Sequence, residues 1–186
     1  MTKREIGQAI LTGLLVVLAV IVGINSALDL LAARKRAAGS AQNQVRGLWG
    51  QNVPIFEAVN LKGERLLLPD PQQPTVVYFF STICGACAVN REQWDRLAQS
   101  VPANAKVIAL AFEAVDTLQQ YVRSDSEASA TVVPDVSQFP DTRQGLRMWA
   151  TPTLYVFDSS GVLRYSHVGV FNERTAGEAI RALDSQ

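Results

Sequence analysis

With 186 residues, 48% of them hydrophobic, the chain is long enough for one domain with a real core plus an appendage. Lysine and arginine together number 17, as do aspartate and glutamate, so no global field points to a nucleic-acid partner or a strongly acidic substrate. Two cysteines and one histidine fall short of the four ligands that a structural zinc site requires.

The appendage is at the N-terminus. From Ile6 to Leu28 there is no charged residue, and Ile, Leu, Val, Ala and Gly dominate. As a helix rising about 1.5 Å per residue, this run is long enough to cross a hydrocarbon core of about 30 Å, so residues 6–28 read as a membrane span within an anchor covering residues 1–33. A cleavable signal peptide competes for the same stretch, but its apolar region would be about 7 to 15 residues long and would end at small residues. The run here is longer and ends in Asp29 to Arg36 with no clean cleavage signature, which favours an uncleaved anchor.

Residues 34–51 are rich in Ala, Gly, Gln, Asn and Ser and read as a polar tether whose one large apolar side chain is Trp49, suited to a domain edge or to a membrane interface. The domain is then expected over 52–186. Ile55-Phe56 and the run from Val59 to Leu68 predict two short strands around Lys62-Gly63, and Pro69, Pro71 and Pro74 punctuate the approach to the next element. From Val76 to Phe80 every residue is β-branched or aromatic, which suits a strand buried on both faces of a sheet. A turn at Ser81 to Ile83 leads into Cys84, after which Ala86, Ala88, Val89, Trp94, Leu97 and Ala98 fall at helical spacing, so a helix starts at or near Cys84.

Ala105 to Phe112 predicts a second buried strand, and Asp116 opens a helical stretch through Leu118, Tyr121 and Val122. Alternating strand and helix implies parallel pairing through right-handed crossovers. Val132-Val133-Pro134 reads as a brief extended piece and Asp141 to Trp149 as a short helix. Thr153 to Phe157 and Val162 to Val168 predict a hairpin around Asp158-Ser159-Ser160-Gly161, and Asn172 or Thr175 caps a last helix through Leu183.

Chemistry concentrates at Cys84 and Cys87. Free amides and the positive end of a helix dipole stabilise a thiolate in the first turn, so Cys84 is expected to be the more acidic and more exposed thiol, with Cys87 within bridging reach but covered. A purely structural disulfide is a poor reading, since closing so short a loop removes little chain entropy. A Cys-x-x-Cys that follows a strand and opens a helix points instead to disulfide exchange. Among other residues, His167 is expected at the surface or as a satisfied core group, Trp94 and Trp149 as core or groove wall, and Glu113 either near the thiols or as a solvated strand end.

The anchor, the run Tyr78-Phe79-Phe80-Ser81-Thr82-Ile83-Cys84-Gly85-Ala86-Cys87, Val133-Pro134-Asp135 and Ala150-Thr151-Pro152-Thr153-Leu154 with its following Asp-x-x-Gly turn together resemble the membrane-anchored thioredoxin-like proteins. The resemblance is to the TlpA-like group, which includes cytochrome c maturation thioredoxins and the suppressor-for-copper-sensitivity D proteins, and it covers roughly residues 50–186. It implies an α/β thioredoxin-like fold, a central mixed sheet flanked by helices. It also implies Cys84 as the attacking thiol, Cys87 as the resolving one, and a cis Thr151-Pro152 bond placing the Thr151 backbone where an extended substrate pairs. Three positions depart from the pattern: Gly85-Ala86 lies between the cysteines, Tyr78 stands where thioredoxins carry a buried aspartate, and Asn90 where several reducing relatives carry glutamate. The direction of electron flow is left open.

The leading expectation is therefore a thiol-disulfide oxidoreductase without cofactor or metal, acting on cysteine-containing exported proteins with a membrane electron donor or acceptor. It would sit in a bacterial inner membrane as a single-pass protein with its domain in the periplasm. The basic residues Arg34, Lys35 and Arg36 after the span mildly favour the opposite orientation, whereas the lack of spare cysteines suits an oxidising compartment. The competing functions are an anchored module whose two thiols hold Cu(I), and a thioredoxin-like scaffold with an idle disulfide.

Overall fold

The computed structural model describes residues 3–122, 130–134, 146–148 and 150–184. It contains two compact units, residues 1–39 and residues 40–186. Helix α1 (Lys3–Arg46) makes up the first as far as Gly39 and is long and apolar enough to cross a membrane. From Leu15 to Leu31 its apolar side chains have no protein cover: Leu15, Ile21 and Leu31 stand 59%, 50% and 56% exposed.

The second unit is a thioredoxin-like α/β domain around a seven-stranded mixed sheet. Strands β1 (Phe56–Asn60), β2 (Arg65–Leu68), β3 (Thr75–Phe79), β4 (Lys106–Leu110), β5 (Thr131–Pro134), β6 (Thr153–Phe157) and β7 (Leu163–Val168) lie in the order β2-β1-β5-β4-β3-β6-β7. β3, β4 and β5 are parallel, as the strand-helix alternation predicts, and every other pairing is antiparallel. The β1–β2 hairpin turns at Gly63, whose φ of 85° suits a residue without Cβ. Among the described residues, helices α2 (Gly85–Ser100), α3 (Val115–Tyr121) and α4 (Glu173–Asp184) flank the sheet. α3 begins a little earlier than Asp116, with Ala114 at its N-cap and no side-chain cap. At α4, Asn172 supplies the capping oxygen by accepting the Thr175 N–H at 3.1 Å. The expected helix over 141–149 lies largely outside the described residues, as does Trp149.

β3 lies inside the sheet, between β4 and β6, and is buried throughout. Its side chains alternate between two cores: Val77 and Phe79 join one with Phe56, Leu110, Tyr155 and Phe157, while Val76 and Tyr78, continued by Phe80, join the other with Cys87, Leu97 and Leu154. The unbroken apolar run follows directly from this double burial.

Residues 34–51 differ from the expected tether. They are helical to Arg46, and from Ser40 onward they belong to the domain unit. The physical reason lies in a few side chains that the polar composition conceals. Val45 and Leu48 are buried at 1% and 8% exposure within the core that also holds Phe157 and Leu163. Gln42 donates to the Ser166 carbonyl at 3.0 Å and accepts the Val168 N–H at 2.5 Å, so its amide pairs with the open edge of β7 as a single residue of a further strand would. Trp49 takes the domain-edge option: its indole N–H donates to Ser166 Oγ at 2.7 Å and its ring packs on Tyr165 at 5.8 Å.

A truncation beginning at residue 52 is expected to be less stable than one beginning at residue 40 by at least about 3 kcal/mol, since full burial of one aliphatic side chain contributes about 1.5–3 kcal/mol and two are lost. Urea unfolding of the two fragments measures the difference, and equal midpoints would show that residues 40–51 contribute nothing to the fold.

Candidate active site

β3 leads straight to the thiols. Phe80 extends the ladder by donating to the Leu110 carbonyl at 3.0 Å, and the turn from Ser81 closes when the Cys84 N–H donates to the Ser81 carbonyl at 3.2 Å. Cys84 is the N-cap of α2, with extended backbone (φ −85°, ψ 110°), and its sulfur accepts the Cys87 N–H at 3.3 Å. The sulfur thus takes the place that a serine or aspartate oxygen usually holds at a helix start. No acidic residue lies in the first turn to oppose a negative charge there.

The two thiols, unbridged in this structure, occupy different environments. Cys84 is partly exposed; burial works to raise its pKa but is outweighed by hydrogen bonding with the Cys87 and Thr151 side chains and with the amides of Cys87 and Ala86, which hold it below its ordinary value. Cys87 is 2% exposed. Burial, and next its hydrogen bond with the Cys84 side chain, push its pKa up to about 12.

Thr151 and Pro152 come together with this pair. The bond between them is cis, as is Leu68–Pro69, which was not expected, and the Cys84 thiol donates to the Thr151 carbonyl at 3.5 Å. Antiparallel pairing of Thr153 with Phe79 brings the segment alongside the end of β3. Glu113, beyond the end of β4, accepts the Thr82 N–H at 2.8 Å and so ties down the turn before Cys84, while its other carboxylate oxygen is buried without a hydrogen-bond partner among the described residues.

Other candidates fall elsewhere. The Asn90 oxygen accepts the Phe171 N–H at 2.7 Å, so this buried residue joins α2 to the segment before α4. His167, on edge strand β7, is half-buried and bonded to the Val170 carbonyl at 3.2 Å. Trp94 stacks on Tyr78 with ring centres 4.8 Å apart and is partly buried, packed against the core. Sequence reasoning did not anticipate Arg91, whose guanidinium lies 4.5 Å from the centre of the Tyr121 ring on α3 and donates to the Tyr121 carbonyl at 3.4 Å. Nor did it anticipate a cavity of about 440 Å³ between α2, α3 and the sheet, which Cys87, Tyr78, Arg91 and Asp95 line. Both depend on how α3 docks against α2, for which no local motif exists.

The AhpC/TSA family model matches residues 49–166. No curated protein matches the sequence. Among solved structures, the thioredoxin domain of a thiol-disulfide oxidoreductase from Bacteroides vulgatus is similar with a TM-score of 0.60 at 12% identity, over 72% of this chain and 95% of that one. The exposed lipoprotein thioredoxin Etrx1 of Streptococcus pneumoniae gives 0.56 at 17% identity over 70% and 100%. A putative electron transfer protein from Aquifex aeolicus gives 0.60 at 16% identity over 72% and 93%. At these identities the likeness is one of fold.

The asymmetry of the thiols makes a direct prediction. Iodoacetamide is expected to modify Cys84 at least about tenfold faster than Cys87 near pH 7, the factor that one unit of pKa separation supplies before burial slows Cys87 further. Because the Cys84 pKa is lowered, its rate is expected to level off at a pH below that of a free thiol, about 8.5, whereas the Cys87 rate keeps rising above it. Peptide mapping after timed alkylation reads both rates, and equal rates would remove the distinction that the helix start creates.

Proposed function

The chain belongs to the AhpC/TSA family, and from that premise we propose a membrane-anchored thiol-disulfide oxidoreductase of the TlpA-like group that exchanges its Cys84–Cys87 pair with cysteines of exported proteins. The observation that carries this reading is the placement of a partly exposed, acidified sulfur at the N-cap of α2 with a second, covered thiol one turn away. In the reducing direction the Cys84 thiolate attacks a substrate disulfide, forming a mixed disulfide and releasing one substrate sulfur as a thiolate that takes up a proton. Cys87 then loses its proton and attacks Cys84; the Cys84–Cys87 bond forms, the second substrate sulfur leaves, and the two electrons have passed from the pair to the substrate. The oxidising direction is the reverse.

Two surface features support a protein substrate. The Thr151 carbonyl faces Cys84 and, with the adjoining backbone, is suited to pair with an extended chain. Ile83, next to Cys84 in sequence, is 93% exposed, an apolar group placed where a substrate segment would cover it.

The anchor follows from the exposed apolar side chains of α1, which lipid tails would cover. We place the domain on the periplasmic side of a bacterial inner membrane, where a membrane partner would exchange electrons with the pair. The absence of any third cysteine supports this side.

Replacing Cys87 with Ser is expected to trap substrates as mixed disulfides through Cys84, and replacing Cys84 with Ser to bring disulfide reductase turnover down to background. Non-reducing electrophoresis of membranes from cells expressing each variant checks this. Turnover persisting in Cys84→Ser would sink the exchange mechanism. For orientation, a reporter active only outside the cytoplasm and fused after Gln186 is expected to work, and a signal from the cytoplasmic reporter alone would reverse the assignment.

A further inference from the structure

Resting on the exchange reading above, we propose that the Tyr78 hydroxyl is a catalytic hydrogen-bond donor held for the thiolate of Cys87. Tyr78 is 4% exposed on β3, and its ring is fixed on three sides: stacked on Trp94 at 4.8 Å and on Phe80 at 5.9 Å, with Phe171 edge-on at 6.0 Å. The hydroxyl cannot swing away to find a partner, and among the described residues none meets it in hydrogen-bond geometry, the Cys87 thiol being the neighbour near enough to interact with it. A buried donor left unmade costs free energy, and phenylalanine would fill the same slot without that cost. An uncompensated group of this kind calls for a use in another state of the molecule.

That other state is ionised Cys87. Tyr78 and Cys87 belong to the same buried cluster and line the same cavity, with Arg91 and Asp95 as the charged groups on its wall. A thiol sulfur is a weak acceptor, so the hydroxyl gains little from it at rest. A thiolate is a strong acceptor, and the bond to it is charge-assisted. Burial, and next the proximity of Cys87, raise the Tyr78 phenol well above its ordinary value, with Tyr121 and Cys84 adding in the same sense, so the O–H stays intact wherever exchange runs. Tyr78 therefore donates and is not the base. In the resolving step the Cys87 proton passes to solvent through the cavity while Tyr78 bonds the sulfur left behind. Cys87 attacks Cys84, the bond from Cys84 to the substrate sulfur breaks, and the departing sulfur takes a proton from solvent. The interaction is made only as charge develops, the condition for it to accelerate the step.

The test uses the reduced full chain in detergent with one equivalent of dithiobis-nitrobenzoate. With only two cysteines in the chain, the first thionitrobenzoate released reports attack by Cys84 and the second reports resolution by Cys87. Tyr78→Phe is expected to slow the second release relative to the first by about tenfold near pH 7, equivalent to about one pKa unit at Cys87. Its urea midpoint is expected to be unchanged or higher, since a buried unpaired hydroxyl has been removed. An unchanged ratio of the two rates overturns the proposal. So does a lowered midpoint with both releases slowed together, which makes Tyr78 a packing residue. Failure of the wild-type chain to give a second release at all would instead overturn the exchange reading, and this inference with it.

Discussion

The point at which α2 begins governs the rest of the site. With Cys84 as the N-cap, the unpaired amides of the first turn converge on its sulfur, and Cys87 is carried one turn into the helix and under cover. The boundary is itself held from two sides. The Ser81 carbonyl receives the Cys84 N–H, and Glu113 receives the Thr82 N–H, so the turn is tied to β3 and to the segment after β4 together.

Covering Cys87 has a consequence that the sheet must accommodate. A sulfur whose pKa is pushed up to about 12 is protected from stray oxidation and alkylation but is a poor nucleophile until its thiolate is stabilised. Among the side chains around it, the aromatic set of Tyr78, Phe80, Trp94 and Phe171 gives shape without charge. The polar groups in that set are the Tyr78 hydroxyl and the Trp94 indole N–H.

How much of this was legible follows from how local each signal is. The buried run Val76 to Phe80, the helix opening at Cys84 and the hairpin around Gly161 each declare themselves within a few residues, and the parallel pairing of β3, β4 and β5 then follows from the alternation of strand and helix. The cis Thr151–Pro152 bond was legible only through the family resemblance, and nothing in the sequence marked Leu68–Pro69. The Arg91–Tyr121 contact, the Asn90–Phe171 hydrogen bond and the cavity beside Cys87 join residues from separate elements, so no spacing rule reaches them. Residues 40–51 were misread as a tether because their composition is polar on average, whereas their docking depends on Gln42, Val45, Leu48 and Trp49 individually.

That docking bears on the site through the ladder it completes. An edge strand is the least constrained member of a sheet, and β7 is the edge beside β6. Gln42 engages it at Ser166 and Val168, and Val168 pairs with Thr153, the residue after the cis proline. The next residue, Gly169, donates its N–H to the Pro152 carbonyl at 2.8 Å. Thr153 pairs in turn with Phe79 at the end of β3, five residues before Cys84, whose N–H closes the turn. Fixing the outer edge therefore limits the freedom of the Thr151 carbonyl, which must stay within reach of Cys84 if it is to help hold both the sulfur and an incoming chain. The stretch that looked like spacer is in this way two strand pairings from the thiols, and on the exchange reading proposed above its contribution would be to the positioning of the substrate backbone rather than to the acidity of either sulfur.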